Sequence, residues 1–381
     1  MNKITRLALT ISGISLASHA NAANQVADAR GNAMGNTGVA SADYLTAPFY
    51  NPALATSFKG NDDFAFILPA ITASSRDIDD SLTTIDDLQT AIENHDGSTL
   101  PSLDQIEEVN GYLDQLAGNQ ALTVTTALGF AIALPTEAVS SNLFAHGYAE
   151  IVATPKIPED NGNILDRYND SNVDMLAFDY IELGLSLAKK FTILEEKVSF
   201  GITPKYQKMA TYARRVAVAD FDLDDYDESE NTENTFNLDL GAVWYKDNFR
   251  AGLVFKDLLS QEIEAKSNEV NDIYKLNTQV TIGLAYASEY FTAALDADLT
   301  KQTRFQDLDD DTQFVRVGIE GDAWGWAQLR AGYEMDLEET LANSITAGIG
   351  ISPFDVVSLD IAGSYAGDNQ FGTSANLAFT F

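Results

Sequence analysis

The chain of 381 residues contains no cysteine, few cations and almost no histidine. Without cysteine there are no disulfides, no thiol nucleophiles and no thiolate-ligated metals. With 23 lysines and arginines against 57 acids, the formal charge is −34, which argues against nucleic acid or an anionic lipid surface as a partner. Beyond the first residues, His95 and His146 are the histidines, and no Gly-x-Ser-x-Gly elbow accompanies them. Neither a catalytic residue set nor a cofactor is expected, so the chain does not read as an enzyme. Past its start the sequence also lacks any apolar run of the roughly 18 residues a membrane-spanning helix requires.

The start itself reads as a secretory signal over residues 1–22. Lys3 and Arg6 form a basic region, Leu7 to Ala17 a short apolar stretch, and Ala20-Asn21-Ala22 a small-x-small cleavage site. Cleavage near Ala22 takes the charge two further below −34.

From Phe64 onward, short segments alternate between large apolar and small or polar residues. In "KLNTQVTIGLAYAS", Val280, Ile282, Leu284 and Tyr286 share one face and Gln279, Thr281, Gly283 and Ala285 the other, which is the period of a strand. "LANSITAGIGIS" and the final "TSANLAFTF" repeat the pattern. The second face is small and polar, and aromatics such as Tyr245, Phe249, Tyr290, Phe291, Trp324 and Trp326 sit near segment ends. Both features fit a transmembrane barrel with interfacial aromatic girdles. The chain ends on Phe379 and Phe381, in the manner of the terminal aromatic signal by which barrels engage the barrel assembly machinery.

Strands are expected near 64–73, 122–134, 142–153, 175–189, 197–219, 235–245, 249–255, 276–287, 290–300, 312–319, 327–335, 342–351, 356–365 and 373–381. That makes an all-β protein, a transmembrane antiparallel barrel of about 14 strands over residues 64–381. Connections after odd strands are mostly long and those after even strands short, as expected for external loops and periplasmic turns. Pro69 and Pro204 fall inside strands and require bulges or shifted boundaries. The first long loop, 74–121, carries apolar residues at helical spacing (Ile78, Leu82, Ile85, Leu88, Ile92; Leu103, Ile106, Val109 or Tyr112, Leu113, Leu116), so two amphipathic helices are expected to cap the barrel mouth.

Residues 23–63 precede the barrel. Gly31, Gly35 and Gly38 lack the preceding strand and following lysine of a phosphate loop, and instead fit close packing of short helices. A compact, small-residue segment without a core of its own suits the lumen of a barrel. In "FYNPALA", Pro52 fixes a turn, Asn51 can bond backbone and Ala53 permits close approach.

Together, the secretory signal, this segment with its Asn51-Pro52-Ala53 motif, the strand count and the terminal Phe resemble the FadL-type outer-membrane transporters of long-chain fatty acids and other hydrophobic compounds. "ARGNAMGNTGVASADYLTAPFYNPAL" is similar to a related branch labelled conjugal transfer protein TraF. The resemblance implies an N-terminal hatch over 23–63, with its tip at Asn51, Pro52 and Ala53 beside a wall gap made by a kinked third strand. That strand is "NLFAHGYAEIVA", with Gly147 at its middle and Phe144, His146 and Tyr148 on one face; with Phe49 and Tyr50 these are the candidate ligand path. The implied activity is passive uptake of a hydrophobic small molecule, from an outer membrane whose lipid and lipopolysaccharide surround the barrel. The branch label implies instead a structural role in conjugal transfer, and an open porin is the third reading. The acidic runs "DFDLDDYDESENTEN" and "DLDDD" lack the central glycine of a calcium loop, so no metal is expected.

Overall fold

The structure, a computed structural model, describes residues 26–60, 62–93, 103–160, 162–223, 229–308, 310–353 and 356–381. The expected signal peptide, residues 23–25, His95, Asp224, Asp225, Asp227, Glu228 and Asp309 lie outside the described residues.

Fourteen antiparallel strands close into a barrel. In chain order they are β1 (Ala65–Arg76), β2 (Leu122–Leu134), β3 (Ser140–Lys156), β4 (Asn172–Ile193), β5 (Glu196–Ala217), β6 (Asn231–Lys246), β7 (Phe249–Lys256), β10 (Gln279–Ala287), β11 (Phe291–Asp298), β12 (Phe314–Ala323), β13 (Ala327–Asp336), β14 (Ser344–Ile351), β15 (Val357–Gly367) and β16 (Gln370–Thr380). A separate hairpin, β8 (Gln261–Lys266) and β9 (Asn271–Leu276), interrupts the series. The barrel closes where β1 pairs β16, with Phe66 opposite Phe379 and their rings stacked 4.9 Å apart. Phe381 continues the seam through backbone hydrogen bonds with Asp63 and Phe64.

The alternation has the expected sense. Ile345, Ile349 and Ile351 of β14 point outward and are exposed, while Ser344 and Thr346 point inward and are buried. Exposed Ile181, Leu183, Ile282, Leu284 and Leu329 continue this apolar belt around the wall, which is the surface a barrel presents to lipid. Among the described residues no helix is long and apolar enough to cross a membrane.

Pro69 makes the expected bulge: β1 gains one residue against both neighbours between Ile67 and Ala70–Ile71. Pro204 does not. Pairing with β4 lapses opposite it and resumes in the same register, because a missing N–H removes one rung without requiring an extra residue.

Helices α3 (Ser81–Glu93) and α4 (Leu103–Leu116) form as expected, but they do not cap the mouth. Ile85, Leu88, Val109, Leu113 and Leu116 cluster with Leu122, Ala153, Val173, Met175 and Val216, which are outward residues of β2–β5. The pair therefore buttresses the outside of these long strands. The mouth is covered instead by the β8–β9 hairpin and the loop segments 299–308 and 310–313. Ile263, Ala265, Tyr274, Leu276 and Phe305 from these segments join the lumenal core. Residues 256–275, read from sequence as a plain loop, are thus a folded lid.

Candidate functional site

Residues 26–60 fill the lumen. Helix α1 (Ala29–Ala33) starts at Asp28, whose carboxylate accepts from Arg30 N and Gly31 N, and lies against β14–β16. There Asn376 Oδ1 accepts from Ala29 N at 2.8 Å, and Thr346 Oγ1 donates to Ala33 O at 2.9 Å. Arg30 bonds both oxygens of Glu320 at 2.9 and 2.8 Å, and Arg330 ties Glu320 to Asp360. Gly38 N and Val39 N donate to Asp296 Oδ2 at 2.7 and 2.9 Å. Gly31 and Gly38 both face the Tyr50 ring so closely that neither position has room for a side chain. The glycines therefore serve packing, as their spacing implied.

After α2 (Ala47–Tyr50), Asn51 adopts an extended conformation and Pro52 opens a 3-10 turn over Pro52–Thr56. Asn51, Pro52 and Ala53 are all buried. Asn51 Nδ2 donates to Val39 O at 2.9 Å and lies 3.3 and 3.5 Å from the carbonyls of Ala242 and Leu253. A side chain at Gly201 would overlap the Pro52–Ala53 backbone, one at Gly241 would overlap Asn51, and one at Gly252 would overlap Val39. The tip thus seats on a glycine-lined patch of β5–β7, and the 3-10 turn it opens packs mainly on β4–β6, with a lesser contact to β3. The pairing of β3 with β2 and β4 runs unbroken through Gly147, and Gly147 faces outward, where a side chain would meet only the Tyr180 carbonyl oxygen at 3.8 Å.

Phe49 is the hatch residue that meets β3. Its ring stands edge-on to Phe144 at 5.9 Å and lies 5.6 Å from His146. Tyr148 continues the inward row, 5.7 Å from Tyr180. Between hatch and wall lies a cavity of about 70 Å³, bordered by Phe49, Tyr50, His146, Tyr180, Lys256 and Asp296, among others. Its lining is mixed: Lys256 Nζ donates to Phe49 O at 3.0 Å, and His146 Nδ1 meets Tyr180 Oη at 3.2 Å and Glu182 at 3.7 Å.

Behind His146 is a network that the strand pattern did not reveal. Lys205 Nζ lies 3.2 Å from Glu182, 3.0 Å from Asp239 and 2.8 Å from Asp257, and Gln207 bridges Glu182 and Asp257 at 3.0 Å each. The inward face is therefore charged as well as small and polar. A second unforeseen set fastens the lid. Arg304 Nη1 bonds Glu150 at 3.0 Å, both fully or almost fully buried, and Phe178 stacks on Tyr274 at 3.6 Å with Phe305 edge-on to it. In the acidic runs, Asp310 accepts from Arg304 N and Phe305 N, and Asp311 from Thr303 Oγ1. Among the described residues no group of three or more acids or histidines is arranged to hold a metal.

Solved structures share this fold at low identity. The chain is similar to a TodX deltaS2S3 mutant monoaromatic hydrocarbon channel (12% identity, TM-score 0.55, covering 92% of this chain and 98% of that one). It is also similar to the Ralstonia pickettii toluene transporter TbuX (11%, TM-score 0.52, 92% and 96%) and to a Pseudomonas aeruginosa FadL homologue (11%, TM-score 0.51, 96% and 97%). No curated relative matches by sequence. The family model described as "F plasmid transfer operon, TraF, protein" matches residues 48–298, from the hatch turn through β11, and the chain belongs to that family.

Proposed function

We propose that this protein is an outer-membrane channel for passive uptake of long-chain fatty acids or related hydrophobic compounds. The observation that carries the reading is the cavity between hatch and wall, where Phe49 of the hatch meets Phe144 and His146 of β3 beside Lys256. An aromatic flank with a few polar groups takes an apolar body and orients one polar end. The structural neighbours include a monoaromatic hydrocarbon channel, a toluene transporter and a FadL homologue, which supports the same class of cargo. A hydrophobic molecule enters under the lid, passes Tyr148 and Phe144, and rests against Phe49; a shift of the Asn51–Ala53 tip from its seat releases it. Lipid and lipopolysaccharide are the surroundings of the wall, and the terminal Phe379–Phe381 strand is the segment offered to the assembly machinery.

Uptake of a labelled long-chain fatty acid by a deletion strain, with and without the restored gene, is the test. Uptake should follow the gene and fall about tenfold for Phe49→Ala, which removes the hatch ring from the cavity while leaving the barrel closed. Gene-independent uptake with the protein present in the outer membrane would end this reading. The family description favours a second one, a structural part in conjugal transfer; a deletion strain with lowered conjugation frequency and normal uptake would establish it.

A further inference from the structure

We propose that the short-turn mouth of the lumen holds an anion site, formed by Lys190, Lys197 and Arg250, that receives the headgroup of an anionic amphiphile once it has passed the hatch. The proposal rests on the transport reading above and adds to it a headgroup site and a route.

The three cations occupy inward positions on β4, β5 and β7, just below the end of the hatch. In the ladder Lys197 pairs with Tyr245, and Tyr245 pairs with Arg250. Lys190 Nζ lies 4.7 Å from the centre of the Tyr245 ring, and Arg250 Cζ lies 5.8 Å from it. Hatch atoms close the group from above: Thr56 O accepts from Lys190 Nζ at 2.9 Å, and Ser57 Oγ meets Tyr245 Oη at 2.9 Å. The charges that bear on Lys190 are those of Lys197, Arg250 and, more weakly, Glu137, while Arg250 feels Tyr245 and, more weakly, Arg30. Among the described residues none of the three cations has an acidic partner at ion-pair distance. In a chain with 57 acids and 23 cations, elsewhere in the lumen Arg30, Lys205, Arg304, Arg316 and Arg330 are each held by carboxylates. Among the described residues Arg76 and Lys256 stand singly without one, and only here do three such cations share one mouth. Converging like charges repel, and an anion arriving among them relieves that repulsion.

A route leads to this site along one strand. The inward face of β7 carries Lys256 at the cavity and Arg250 at the mouth, about 20 Å apart at strand rise, with Gly252 between them under Val39. A headgroup held near Lys256 therefore meets the Arg250 group next, once Val39 and Asn51 leave their glycine seat. The unbroken pairing of β3 through Gly147 offers no rival gap in the wall at that strand. An anionic lipid of the surrounding leaflet carries the same headgroup chemistry, but the three side chains point into the lumen, which favours the transported molecule.

The test uses the full-length protein in phosphatidylcholine nanodiscs, with dodecanoate and dodecanol carrying a diazirine near the head. Dodecanoate should label the peptide containing Tyr245 at least tenfold more than dodecanol does. The triple variant Lys190→Gln, Lys197→Gln, Arg250→Gln should bring that ratio below threefold, with heat-modifiable migration reporting an intact barrel. A ratio near one in the unmodified protein, or one that survives in the triple variant, overturns the proposal. So does a dodecanoate signal abolished by adding phosphatidylglycerol to the disc, because the site would then belong to leaflet lipid. Failure of the transport reading shows separately, as gene-independent cellular uptake of both probes.

Discussion

The lumen is closed twice, by the hatch and by the lid, and the two closures use opposite chemistry. Apart from the Arg30–Glu320 ion pair near its start, the hatch seats small residues on glycines and is held by side chains bonding backbone: Asn51 to Val39 O, Thr346 to Ala33 O, and Asp296 to two successive N–H groups. The lid presses large rings into the lumen, with Tyr274 stacked on Phe178 of β4 and Phe305 edge-on to Tyr274, and is fixed to the wall by the buried pair Arg304–Glu150. A close-packed glycine seat tolerates a small sliding movement but no added atom. A ring stack latched by one ion pair opens as a unit when the latch fails.

The largest effect should come from breaking the latch. Glu150→Ala removes the wall's acid from buried Arg304 and leaves it only Asp310 of its own loop, 3.5 Å away, a loss of up to about 3–5 kcal/mol. The expected readout is faster hydrogen exchange and proteolysis across 261–312, with residues 26–56 still protected. Protection unchanged in the lid would show that the ring stack alone holds it. Next comes Leu113→Ala on the helix pair, with about 2–5 kcal/mol lost locally because Leu113 is fully buried against α3 and the outer wall. Exchange should rise over 81–116 and nowhere in the lid; a lid that loosens with the helices would mean the two are coupled after all. On the hatch side, Gly241→Val puts atoms where Asn51 and Pro52 lie, an overpacking of about 1–3 kcal/mol. It should raise planar-bilayer conductance while the barrel migrates as folded.

How much of this was legible in the sequence follows the same divide. Strands were readable because each shows its own two faces, as in β14, and Pro69 announced its bulge. The hatch was readable from Gly31, Gly38 and the Asn51–Ala53 motif, since small residues in a row leave few other uses. The lid was not. "QEIEAK" and "NDIYKL" alternate, yet Ile263, Ala265 and Tyr274 do not by themselves say what they will cover. The same limit misplaced α3 and α4: helical spacing fixes an apolar face but not the surface it meets. Glu182, Lys205 and Asp239 each looked like an isolated charge in an alternating strand, and it is the register across β4–β6 that gathers them. Gly147 was expected to mark a kink and a wall gap, but a continuous ladder on both sides absorbs one glycine. Because it faces outward, Gly147→Trp should place a ring in lipid and leave uptake unchanged.

The smallest effect separates the two ways the tip could be held. Pro52 occupies the first position of its 3-10 turn, where its N–H would have no helical partner and its ring fixes a compatible backbone angle. Pro52→Ala keeps the turn and its contacts, so it acts mainly by freeing the unseated segment, worth about 0.4–1 kcal/mol. Amide exchange at 53–57 should rise about two- to fivefold, and conductance should stay near that of the unmodified protein. Asn51→Ala, by contrast, removes the donor to Val39 O and leaves a buried carbonyl unmet, about 1–3 kcal/mol, and should increase conductance measurably. If Pro52→Ala opens the channel as far as Asn51→Ala does, the stiffness of the turn holds the tip and the side-chain clamp is secondary. If it does not, the clamp is the gate, and the hatch moves when Asn51 lets go.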